Sequence, residues 1–138
     1  MIRYFILIFL QFFFLNLQAK PVEIVMWHSL AGHLGEEIGR LVKGFNQSQK
    51  SYAIKLIYKG EYTEALTSFA AAFRAKQPPA IVQIFEVGTA TMLHPKGIIK
   101  PIDELMKEQG IALPKESFLP AIRDFYSESD QLVAMPFN

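Results

Sequence analysis

Three short stretches put polar chemistry directly behind apolar runs. Trp27-His28-Ser29 follows the run that begins at Val22, Lys59-Gly60-Glu61-Tyr62 follows 52–58, and Glu86-Val87-Gly88-Thr89 follows 80–85. A carboxylate such as Glu86 at the edge of a core is either solvated or accepts hydrogen bonds from something held there. Patterns that would assign a reaction are missing. His28 and His33 stand five residues apart, a spacing that does not share one side of a helix, and His94 is distant. There is no His-Glu-x-x-His zinc helix, no Gly-x-Ser-x-Gly elbow and no Gly-x-x-x-x-Gly-Lys-Ser phosphate loop. Hydrolase and nucleotidase readings therefore have no motif behind them, and neither a metal nor a cofactor is expected.

The elements that would position these groups alternate. Val22–Trp27 reads as a strand. Leu34, Ile38, Leu41, Val42 and Phe45 then fall on one helical face. Residues 52–58 form a second strand candidate, stopped at Gly60. Tyr62, Leu66, Phe69 and Phe73 mark a second amphipathic helix to about Lys76, broken by Pro78-Pro79. A strand over 80–85 follows, then a short turn or helix from Thr89 to Leu93 and an extended piece over 96–101. Residues 102–109 suit a helix, with Asp103 and Glu104 early, Lys107 late and Gly110 just past its end. Ser117 is a candidate cap for a helix over 118–126, and 131–137 reads as a last strand.

Strand, helix, strand, helix, strand implies an α/β chain with a parallel sheet. Ligands of such sheets bind outside the carboxyl ends of the strands, where the three polar stretches should emerge together. Each residue also has a plainer reading. Glu86 could be a solvated loop carboxylate. Tyr62 could be the first core residue of its helix, in phase with Leu66 and Phe69. Trp27 could be core rather than a ligand platform.

Composition narrows the class. The chain has 138 residues and no cysteine, so no disulfide or thiol-anchored lipid form is available. Residues 1–19 run from a basic start at Arg3 through an apolar stretch to Ala19, the layout of a secretory signal peptide; a membrane anchor is the alternative. Lysine and arginine number 14 against 13 acidic residues, and Arg3 lies in the leader, so residues 20–138 are charge-balanced. Without a basic block, nucleic acid is not an expected partner.

The quoted stretches, with Ala71-Ala72-Phe73-Arg74, the longer Ala80-Ile81-x-Gln83-x-Phe85-Glu86-Val87-Gly88-Thr89-Ala90-Thr91-Met92 and the closing Pro136-Phe137-Asn138, carry a resemblance. They resemble the periplasmic glycerol-3-phosphate-binding proteins of bacterial ABC importers, within the extracellular solute-binding proteins of the sugar-binding class. The Glu-Val-Gly-Thr-Ala-Thr-Met stretch is the specific part; Trp-His-Ser alone suits many members.

The resemblance implies a two-lobed α/β fold that closes on solute between its lobes. It makes Tyr62 and Glu86 ligand-contacting residues, the carboxylate accepting hydrogen bonds from glycerol hydroxyls. A glycerophosphate solute and membrane permease subunits become the partners, and the periplasm the location. Family members continue past Pro-Phe-Asn into hinge crossings, a second lobe and a ligand-binding arginine. Residues 20–138 are therefore expected to be a partial N-terminal lobe, a truncated parallel-sheet lobe of a periplasmic-binding-protein-like fold with no second lobe. A separately encoded C-terminal fragment would complete it. The alternatives are a non-functional remnant of a split or truncated gene, or a membrane-anchored small protein.

Overall fold

The structure, a computed structural model, describes residues 20–93 and 97–137. The expected leader at 1–19 lies outside the described residues. Two compact units divide between Gln83 and Ile84.

The first unit runs β1 (Val22–His28), α1 (Gly32–Ser48), β2 (Tyr52–Tyr58), α2 (Tyr62–Arg74) and β3 (Ile81–Val82). All three strands are parallel, in the order β2-β1-β3. Parallel neighbours need a crossover connection, and each helix supplies one. β1 and β2 pair from Val22 opposite Tyr52 through His28 opposite Tyr58. The outer edge of β2 is served by side chains from the end of α1 and the turn after it. Asn46 Nδ2 donates to the Ile54 carbonyl at 2.9 Å, and the Ile54 N–H returns a bond to Asn46 Oδ1 at 2.8 Å. Gln49 Oε1 accepts from the N–H groups of Ser51 and Tyr52, each at 2.8 Å. Edge groups satisfied in this way are less open to pairing with another chain.

Among the described residues of this unit, Leu30, Ile38, Ala65 and Phe69 are the buried apolar ones. Of the α1 stripe only Ile38 is fully buried, while Leu34, Leu41 and Phe45 stay exposed. A sheet of three strands is too narrow to cover the whole stripe. On α2, Phe69 is buried and stacks on Phe73 with ring centroids 6.0 Å apart.

The third strand is shorter than its apolar run predicts: β3 holds two residues rather than 80–85. Gln83 still donates its N–H to the Trp27 carbonyl at 2.9 Å. Beyond it, the Phe85 carbonyl is already taken by the N–H of Gly88 at 2.9 Å, so the chain turns helical instead of extending the ladder.

The second unit contains α3 (Glu86–Leu93), α4 (Ile102–Glu108), a 3₁₀ turn (Lys115–Ser117), α5 (Pro120–Phe125) and the pair β4 (Ser127–Glu128) and β5 (Gln131–Leu132). α4 ends as its sequence predicts, with Gly110 in the left-handed region at φ 66°. Three expectations are corrected. Residues 97–100 form a turn and bends, not an extended piece. Ser117 caps no helix: its hydroxyl donates to the Pro114 carbonyl at 2.7 Å, and α5 starts later, on Pro120, whose ring presets the first helical φ. The last strand is two residues long, and its partner β4 has no signal in the sequence. Ser129 and Asp130 join the two with φ of 50° and 65°, the two-residue hairpin geometry that Asn-Gly more often marks.

Candidate functional site

At the carboxyl edge of the first unit, Trp27 and His28 belong to the central strand itself rather than to the loop behind it. Lys59, just past β2, donates its N–H to the His28 carbonyl at 2.9 Å. Its ammonium lies 3.8 Å from the centre of the Trp27 ring, a cation–π contact. The His28 and Tyr58 rings lie 5.7 Å apart, tilted by 55°. His28, Ser29 and Gln83 are all buried. Gln83 Oε1 accepts the Ser29 N–H at 3.0 Å, which ties the end of β1 to the chain leaving β3. His28 Nδ1 and Ser29 Oγ have no hydrogen-bond partner. Leaving a buried polar group unserved costs about 1–3 kcal/mol. Burial pushes the His28 imidazole below its ordinary 6.5, against an opposing pull from the Leu30 backbone.

Tyr62 is the first residue of α2 and is half-buried. The turn before it depends on Gly60, at φ 78°. A Cβ at Gly60 would stand 2.0 Å from Glu64 Oε2, so glycine is what lets that carboxylate fold back. Glu61 and Glu64 then form a reciprocal capping box, with the Glu61 N–H donating to Glu64 Oε2 at 2.9 Å. The start of α2 is thus occupied by the chain's own carboxylates, which leaves little there for an anionic ligand. An open groove of about 650 Å³ beside this turn is lined by Tyr58, Lys59, Gly60, Thr63, Glu64, Thr67 and Ser68. Tyr62, a core-phase position of the same helix, is not among its lining residues.

In the second unit, Glu86 is exposed and opens α3, where a carboxylate is favoured by the helix dipole. It is therefore a helix-start residue, not a strand-end loop residue. Gly88 is buried: a Cβ there would stand 2.9 Å from the Phe85 ring and 3.1 Å from Ile84 Cγ2. Thr89 Oγ1 donates to the Phe85 carbonyl at 3.3 Å. The first turn of α3 is thereby packed onto the two residues before it.

Tyr62 falls in the first unit and Glu86 in the second. Sequence reasoning placed Ser29 at this edge but did not single out Gln83 as its partner. The signal for Gln83 was present, as the one polar residue inside the apolar run 80–85. Among the described residues, no group of three His, Asp or Glu side chains could hold a metal ion. No described helix is long and apolar enough to cross a membrane.

This α/β fold with its parallel sheet is shared with solute-binding proteins. The solved structure of CpMnBP1 with mannotriose bound superposes with a TM-score of 0.67 over 80% of this chain and 27% of that one, at 21% identity. The sequence comparison is more particular. The chain is 41% identical over 130 residues to the sn-glycerol-3-phosphate-binding periplasmic protein UgpB of Agrobacterium fabrum, covering 94% of this chain and 30% of that protein. It is 43% identical over 124 residues to the protein of the same name from Salmonella typhimurium, covering 88% and 28%. The Yersinia pestis protein of that name matches at 42% over 118 residues, covering 84% and 27%. The chain therefore spans less than a third of the length of these relatives, all named as binding proteins. No protein-family model matches it.

Proposed function

We propose that this chain is part of a solute-binding component of a bacterial ABC importer for sn-glycerol-3-phosphate or a glycerophosphodiester. The observation that carries this reading is the match over 84–94% of the chain to relatives named for binding glycerol-3-phosphate. On this reading it is exported to the periplasm, delivers its solute to membrane permease subunits and catalyses nothing. Residues 20–138 would belong to the N-terminal lobe of such a protein.

Tyr62 and Glu86 are the proposed ligand contacts. Glu86 repels a phosphate and suits the glycerol hydroxyls, whose protons it accepts. Tyr62 adds a phenolic hydrogen bond or a ring face. With part of the contacts, affinity falls steeply. A micromolar binder has about −8.2 kcal/mol, and half of that corresponds to millimolar binding.

The test is a titration of glycerol-3-phosphate into isotope-labelled chain, followed by nuclear magnetic resonance. Saturable shifts at Tyr62 and Glu86 are expected at millimolar ligand, and both Glu86→Ala and Tyr62→Ala should weaken them. Shifts that neither substitution alters, or none at all at millimolar ligand, would overturn the assignment.

A further inference from the structure

The carboxyl end of β1 holds two polar atoms that the first unit leaves unserved. His28 Nδ1 and Ser29 Oγ are closed to solvent and have no hydrogen-bond partner, on residues only 5% and 8% exposed. Buried polar atoms are paired in the great majority of cases, so an adjacent pair of orphans marks a missing partner. The surroundings are already committed. Gln83 Oε1 takes the Ser29 N–H at 3.0 Å, the Lys59 ammonium sits over the Trp27 ring, and the Tyr58 ring lies beside His28. Backbone and rings are thus held in place, and apart from the pull of the Leu30 backbone on the imidazole the two side-chain atoms make no hydrogen bond. β1 is also the central strand, and the carboxyl ends of parallel strands are where such sheets offer groups to ligands.

We infer that His28 Nδ1 and Ser29 Oγ form a subsite for a single neutral hydroxyl group, supplied either by a polyol solute or by an ordered water. A hydroxyl both donates and accepts, so it can serve the serine oxygen together with an imidazole nitrogen in either tautomer. A phosphate can offer a P–OH as well, but it would carry net charge into a sealed place. A hydrogen bond made there gains strength because no solvent competes with it. Ala31 and Gly32, where α1 begins, follow directly in the chain and are exposed. The solute source rests on the solute-binding reading above; the water source does not.

The experiment uses the full chain with ¹⁵N-labelled imidazole and amide groups. Glycerol and inorganic phosphate are titrated separately, and water-to-protein cross-relaxation is recorded without either. If a solute hydroxyl is the occupant, glycerol moves the His28 Nδ1 and Ser29 resonances saturably and phosphate does not. Ser29→Ala, which removes an orphan and should not harm folding, then weakens the apparent glycerol affinity about two- to tenfold. A long-lived water contact at Ser29 with no glycerol response assigns the hydroxyl to water. Absence of both responses, or a response to phosphate instead of glycerol, overturns the subsite. The two readings fail separately. Silence at His28 and Ser29 beside glycerol-3-phosphate shifts at Tyr62 and Glu86 removes only the subsite. The water contact beside silent Tyr62 and Glu86 removes only the solute assignment.

Discussion

The two units reach order by different means. The first is organised by a long parallel ladder, seven residues of β1 against seven of β2, with Phe69 of α2 buried at 4% exposure. The second has no described element longer than the eight residues of α3. Its buried apolar residues among those described are Met92, Leu132 and Val133, and a single carboxylate gathers its later segments. Asp103 accepts the Leu132 N–H at 3.0 Å and pairs with Lys115, whose ammonium also donates to the Asp130 carbonyl at 3.3 Å. Order spread over a ladder should yield mainly to lost core volume. Order gathered on one side chain should yield to the loss of that side chain.

The largest effect expected is in the first unit. Phe69→Ala removes a buried ring, and such truncations cost about 3–5 kcal/mol. The chain has one tryptophan, Trp27 in β1, so its fluorescence during urea unfolding reports this unit alone. An unchanged fluorescence midpoint would mean that the ladder, not the packed ring, holds the unit together.

Asp103→Ala should cost the second unit about 1.5–3 kcal/mol, the range for a hydrogen bond to a charged group. Hydrogen exchange at the Leu132 amide should speed up while the Trp27 transition stays in place. Equal protection in the variant would show that Asp103 only decorates the hairpin.

Acid should separate the units by a smaller margin. Well above pH 6.5, folded and unfolded chains both carry neutral His28. As pH falls below that value, the unfolded chain takes up a proton that burial denies the folded one, so the first unit loses stability until the folded group also titrates. Asp103 behaves differently. Burial pushes its carboxyl up, but Lys115 and the Leu132 N–H outweigh this and hold it below the ordinary 3.8. Its contribution is present above 3.8 and is lost only as pH falls through that lower value. Between pH 7 and pH 5, the Trp27 midpoint should therefore fall while Leu132 protection, corrected for intrinsic exchange, holds. His28→Gln should flatten the Trp27 dependence, and a slope that persists in that variant would assign the acid sensitivity to another group.

Period and turn chemistry were enough for the long elements. Both helices of the first unit follow apolar positions that recur every three to four residues, and both long strands precede a breaker or a helix start. The short elements were not legible in the same way. Residues 80–85 have the composition of a strand, yet only two pair, because Gly88 claims the Phe85 carbonyl and a helix begins at Glu86. The β4–β5 hairpin turns on Ser129 and Asp130, a pair whose composition does not demand left-handed backbone. Tyr62 and Glu86 stood out as polar residues behind apolar runs, and Tyr62 does open α2 after a left-handed glycine.

From the sequence by itself came the α/β class, the order of the main elements and the polar residues at their ends, since each depends on neighbours within a few positions. Only the tertiary structure decided which polar atoms go unserved. Gln83 lies 54 residues from the Ser29 N–H that it accepts, and Asp103 lies 29 residues from the Leu132 N–H. A hydrogen bond across such a span depends on where the fold brings two segments together, and no local pattern encodes that. The same holds for His28: its position at the end of an apolar run was legible, but the burial that lowers its proton affinity is set by everything packed around it.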